Sequence, residues 1–130
     1  MRLINILGIF GYISMELALK NIRTAINTCD FDILGRYIET SFIKIPQNEL
    51  DFALMQAFKS GNYIFAEYLY QHGADLFCRN NFIYKRFIKN NKARSVKIDD
   101  DKEKEALDRL IIIYTDHDIK ERAKQEGEDE

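Results

Sequence analysis

Few side chains in this sequence are of types that do chemistry, and their spacing gives them little to work with. Thr115-Asp116-His117-Asp118 places an imidazole between two carboxylates, the donor types of a metal site. A metal needs three or four such ligands at a fixed spacing, and no second cluster supplies them. The segment therefore reads as a polar helix end. His72 closes an apolar block and reads the same way. The two cysteines, Cys29 and Cys78, are too few for a disulfide framework. They fit small buried or half-buried thiols in a reducing compartment, with one bridge as the alternative. No Gly-rich phosphate loop, no Gly-x-Ser-x-Gly and no His-Glu-x-x-His occurs. The expectation is a chain without catalysis, cofactor or metal.

One charge pattern is more specific. Arg79, Lys85, Arg86, Lys89, Lys92, Arg94 and Lys97 fall in a stretch with no acid, and the chain turns acidic from Asp99 to Glu105. Phe82, Tyr84 and Phe87 are interleaved with these cations, so phosphates and stacked bases are one reading. An acidic protein partner is another. The plainest is a solvated face whose rings point into a core. A net charge of -2 over 130 residues gives no global reason to expect a nucleic-acid binder.

The elements that must carry these residues are helical. One proline and six glycines argue against a turn-rich β fold. Apolar residues recur at helical spacing in 16–28, at Leu17, Ala18, Ile22, Ala25 and Ile26. The pattern breaks at Cys29-Asp30 and resumes with Phe31, Ile33, Leu34, Tyr37 and Ile38, for which Asp30 is an N-cap candidate. Pro46 forbids a helix through the connector that follows. A second block then repeats the plan. Leu50, Ala53, Leu54, Ala57 and Phe58 line one helix, Gly61-Asn62 turns the chain, and residues 63–72 form another helix that Gly73 closes.

The two blocks superpose at a shift of 32 residues. Ala25-Ile26 falls on Ala57-Phe58, Cys29-Asp30 on Gly61-Asn62, Ile33-Leu34 on Phe65-Ala66, and Tyr37-Ile38 on Leu69-Tyr70. A fixed offset carrying helix, turn and helix is the mark of a helical-hairpin repeat. A third, degenerate block has Phe82, Ile83, Phe87 and Ile88 inward, a polar insertion, and a helix over 102–115 with Ala106, Leu107, Leu110, Ile111 and Tyr114 on one face. The last segment, 119–130, has no apolar stripe and reads as a frayed helix leading into an acidic, disordered tail.

In "ALMQAFKSGNYIFAEYLYQHGAD" the order Ala57, Gly61-Asn62, Phe65-Ala66, Leu69-Tyr70 and Gly73-Ala74-Asp75 resembles an ankyrin repeat. The family's Thr-Pro-Leu-His opening is replaced by Phe52-Ala53-Leu54-Met55, and the first block has Cys29 where the family has glycine. Divergent units of this Ile/Asn/Lys-rich kind resemble those of large DNA viruses, such as African swine fever virus multigene-family and poxviral ankyrin proteins. The resemblance implies an all-α, short solenoid of stacked helical hairpins, with units about 16–45, 46–78 and 79–115 in one domain over 1–118. The residues expected to hold it together are Ala25, Ile33, Leu34, Ala57, Gly61, Asn62, Ala66, Leu69, Gly73 and Asp75. It also implies a protein–protein interaction module directed at a host protein, in the cytoplasm; nuclear or membrane-associated sites are alternatives.

A hairpin stack shares its core between units and leaves turns and first-helix faces for a partner. Those positions here are Gln47, Asn48, Arg79, Asn80, Lys85, Arg86 and Lys89. The alternative is a small nucleic-acid-binding protein using segment 79–97. The apolar run from Leu3 to Met15 has the length of a signal-peptide core but lacks a clean small-x-small cleavage site. It is short of the roughly 20 residues a membrane span needs. An N-terminal cap on the stack is the reading adopted, with a signal segment, or a start at Met15, as alternatives. A stack this short is expected as a monomer or a homodimer.

Overall fold

A computed structural model describes residues 16–40, 44–89 and 100–128. The apolar segment 3–15, residues 41–43, and most of the polar insertion with Lys92, Arg94 and Lys97 lie outside it. Every described element is helical: α1 (16–27), α2 (Phe31–Glu39), α3 (Gln47–Ser60), α4 (Tyr63–Gln71), α5 (Cys78–Ile83) running into a π-helical turn (Tyr84–Ile88), and α6 (Asp101–Glu128). The all-helical expectation holds. No described helix is long and apolar enough to cross a membrane.

The helix ends explain the 32-residue echo. At the end of α1 the Cys29 N–H donates to Ile26 O at 3.2 Å and the Asp30 N–H to Ala25 O at 2.8 Å. At the end of α3 the Gly61 N–H donates to Phe58 O at 3.3 Å and the Asn62 N–H to Ala57 O at 2.9 Å. Each is a Schellman closure, and each donor and acceptor lies 32 residues from its counterpart. The geometry needs one residue with positive φ. Gly61 supplies it at 76°, and Cys29 adopts it at 57° despite its side chain. The end of α4 closes likewise, through Gly73 N–H to Tyr70 O and Ala74 N–H to Leu69 O.

Burial follows the same register. Ala18, Ile22, Ala25, Ile26 and Leu34 are buried, and so are Leu50, Leu54, Ala57, Phe58 and Ala66, each 32 residues on. Small residues at Ala25, Ala57 and Ala66 allow close helix approach, and the larger ones fill the space between. The first block meets the second along both helices. Arg23 of α1 pairs with Glu49 of α3 at 2.8 Å, and the ring of Phe31 in α2 lies 4.7 Å from that of Phe65 in α4. On its other side α4 packs against α6, whose Ala106, Leu107, Leu110 and Tyr114 are buried.

Some inward expectations fail. Leu17 is 56% exposed, Ile33 41%, Tyr70 38% and Phe82 41%. Nine-residue helices such as α2 and α4 bury a narrow stripe, and Ile33 and Tyr70 sit at its edge. The expected helix through Phe82 and Phe87 is also interrupted. Arg79, Asn80 and Asn81 take left-handed φ of 50°, 56° and 61° before the chain returns to right-handed geometry. Asparagine tolerates that region through its short polar side chain, so the Asn pair makes a turn where the apolar spacing suggests a helix start. Conversely, α6 runs on to Glu128, beyond the expected 102–115. Residues 119–125 are exposed and rich in helix-favouring Lys, Glu, Arg and Gln, and Arg122 meets Asp118 one turn earlier at 3.3 Å.

Candidate functional site

The side chains expected to meet a partner separate into two groups. Gln47, at the start of α3, is an internal tie as well as a surface residue. Its Nε2 donates to Asp51 Oδ1 at 2.8 Å and to Gly73 O at 2.9 Å. Asp51 Oδ1 in turn accepts the Asp75 N–H at 2.9 Å, and Asp75 Oδ1 accepts the Phe77 N–H at 2.9 Å. This chain of bonds fixes the loop after α4 onto the first turn of α3. Asn48 beside it is exposed. Asp75 thus has a local structural role.

The second group is cationic apart from Asn80. Arg79, Asn80, Lys85, Arg86 and Lys89 are all exposed, on the left-handed turn and the π-helical turn that follows it. Two of the aromatic residues among them are engaged elsewhere. Phe87 stacks on Phe58 at 6.0 Å, and Tyr84 lies 5.8 Å from Tyr114. Phe82 is the exposed ring of that stretch. Cys78, just before the cations, is buried and free, and burial, with Asp51 and Asp75 nearby, pushes its thiol pKa up. A thiol held protonated is a poor nucleophile. Cys29 is also free.

The histidines have packing roles. The His117 ring lies 4.0 Å from Phe77, and the His72 ring 4.1 Å from Tyr68, with its Nδ1 2.8 Å from Tyr68 O. Among the described residues no cluster of three or more His, Cys, Asp or Glu side chains is placed to hold a metal.

The sequence reading missed Glu103. Its Oε2 accepts the backbone N–H groups of Tyr63 at 2.6 Å and Ile64 at 2.9 Å, forty and thirty-nine residues away. Asn62, at the N-cap position, makes no such bond; its Nδ2 donates to Ser60 Oγ at 2.9 Å instead. A carboxylate on these first N–H groups also meets the positive end of the helix dipole. Further along, Arg109 grips Glu67 with two bonds of 2.6 and 2.8 Å, and the guanidinium holds the Glu67 carboxyl below the ordinary range. Tyr114 completes the seam: its hydroxyl donates to Leu76 O at 2.6 Å, and burial drives its pKa far up. Nothing in the local spacing of α6 marks Glu103 as a cap, since the N–H groups it serves lie in another helix.

Hollows open on the surface among the described residues, two of them large. One of about 530 Å³ is lined by Ile38, Lys44, Ile45, Pro46, Leu50 and His72 beside the Gln47 tie. The other, about 450 Å³, lies between α2 and α4 over Phe31, Gly35, Phe65 and Tyr68. Compared with models of known families, with curated proteins and with solved structures, the chain matches none.

Proposed function

We propose that this chain is a non-catalytic protein–protein interaction module, built on an ankyrin-like plan of stacked helical hairpins. In this reading it binds and modulates a host protein in the cytoplasm, as a factor of viral or intracellular-pathogen origin. The observation that carries the reading is the 32-residue equivalence of the turns at Cys29-Asp30 and Gly61-Asn62, matched in hydrogen bonds, in positive φ and in burial. Repetition of that kind gives a scaffold whose core residues recur and whose turn residues are free to vary. The exposed cations at Arg79, Lys85, Arg86 and Lys89 are the contact group, and an acidic protein surface is their complement.

Cross-linking in cells, with the full chain as bait, tests the reading. A partner held by these cations is lost in the charge-reversed variant Lys85→Glu/Arg86→Glu/Lys89→Glu while the helical circular dichroism is unchanged. Retention of every cross-linked protein by that variant removes the cationic face from the proposal. The alternative, nucleic-acid binding, has Phe82 as an exposed ring for stacking, while Tyr84 and Phe87 are packed against Tyr114 and Phe58. Titration with DNA and RNA at low salt decides between the two; a phosphate-driven complex weakens steeply as salt is added.

A further inference from the structure

We propose that the groove between α2 and α4 is a docking site for a cationic side chain, an arginine or a lysine, carried on an extended peptide segment of a partner protein. The residues of this groove are distinct from the exposed cations, so the inference stands or falls independently of the partner proposed for those.

The floor of the groove is aromatic. Phe31 and Phe65 lie 4.7 Å apart and Phe65 and Tyr68 5.3 Å, so three half-buried rings run in a row along the two helices. The floor is open because of Gly35. A Cβ there would rest 3.6 Å from the Phe65 ring, an ordinary contact, so the glycine is not sterically required. What its missing side chain does is leave the ring uncovered.

The walls are acidic. Asp32, Glu39 and Glu103 line the groove against one cation, Arg36. Asp32 and Glu39 are exposed, and among the described residues neither takes part in an ion pair; Glu39 accepts the Tyr68 hydroxyl at 3.4 Å. Rings present a negative face, and a guanidinium or ammonium within about 6 Å of a ring centroid is attracted to it. Carboxylates beside the rings give the same cation hydrogen-bond acceptors, in a forked pair for arginine. Anions gain nothing here, and a neutral apolar chain leaves the carboxylates unused. The groove is open along the helices and has Ile64, 42% exposed, at its rim, which suits a side chain on a peptide better than an enclosed small molecule.

The test is nuclear magnetic resonance titration of the full chain with an end-blocked Ala-Gly-Arg-Gly-Ala peptide, its lysine counterpart, and one with neutral citrulline in place of arginine. The amide signals of Gly35, Glu39, Phe65 and Tyr68 shift with the cationic peptides at millimolar concentration, and citrulline binds several-fold more weakly. Asp32→Asn and Glu39→Gln each weaken binding by about 2–5-fold. Gly35→Met fills the groove and abolishes the shifts. Its φ is not positive and methionine favours a helix, so this variant keeps or raises the melting temperature. Equal shifts with citrulline, or none with any peptide, overturn the proposal. So does self-association of the chain that vanishes in the Asp32→Asn/Glu39→Gln variant, because the occupant is then a second copy.

Discussion

Glu103 reaches across forty residues of sequence to close the first turn of α4, and this single carboxylate replaces a cap that Asn62 could have supplied locally. Replacing it by alanine uncovers two N–H groups at once. Glu103→Ala is expected to cost about 1–2 kcal/mol, the size of a lost N-cap, read as a shift of the urea midpoint with unchanged slope. Tyr114→Phe is a cleaner deletion. It removes one hydroxyl and leaves the Leu76 carbonyl, buried under the ring, with no donor. An unsatisfied buried acceptor costs about 1–3 kcal/mol, so this substitution should destabilise visibly although no apolar volume is lost. The inward face of α6, with Leu107, Leu110 and Tyr114, is legible from helical spacing alone. Glu103 is not, because local periodicity reports which side of a helix is buried and carries no information about a hydrogen bond to another element.

At the scale of elements, the two Schellman turns give a matched pair of predictions with opposite signs. Cys29 holds a left-handed φ with a side chain attached, whereas Gly61 holds it without one. A non-glycine residue in that region costs about 1–2 kcal/mol. Cys29→Gly should therefore stabilise and Gly61→Ala destabilise, each by about 1 kcal/mol, in the same thermal or chemical melt. Equal and same-signed effects would break the equivalence of the two turns. The shift of 32 residues was readable because turn chemistry and apolar spacing recur together in both blocks. The third block was not readable. Its apolar residues suggest an ordinary helix through Phe82 and Phe87, and the left-handed turn at Arg79, Asn80 and Asn81 depends on backbone preferences that apolar spacing does not encode. The groove between α2 and α4 was equally hidden. Phe31 and Phe65 belong to different blocks, and only their packing shows that they form one floor.

For the whole molecule, pH acts on the seam between α4 and α6. Glu67 has a folded pKa below its unfolded value, because Arg109 hydrogen-bonds and attracts its charged form. Its contribution is whole above the unfolded glutamate pKa of about 4.3 and is lost as the pH falls through the lower folded value. Acid unfolding followed by circular dichroism should begin there, and Glu67→Gln should flatten that limb. The opposite sign holds for Tyr63 and Tyr114, whose pKa values burial raises. Their neutral forms stabilise the fold fully below the unfolded tyrosine pKa of about 10, and stability falls as the pH climbs beyond it. Tyr114→Phe should remove part of the alkaline limb while leaving the acid limb in place.

The distance in sequence between α4 and its cap also sets an order of events during synthesis. The N–H groups of Tyr63 and Ile64 leave the ribosome well before Glu103 does. At 5–20 residues per second, forty more residues take about 2–8 s. Throughout that interval the first two hairpins can pair through local contacts, while the face of α4 that α6 will cover stays open to chaperones, to other nascent chains, or to a partner that arrives before the chain is finished.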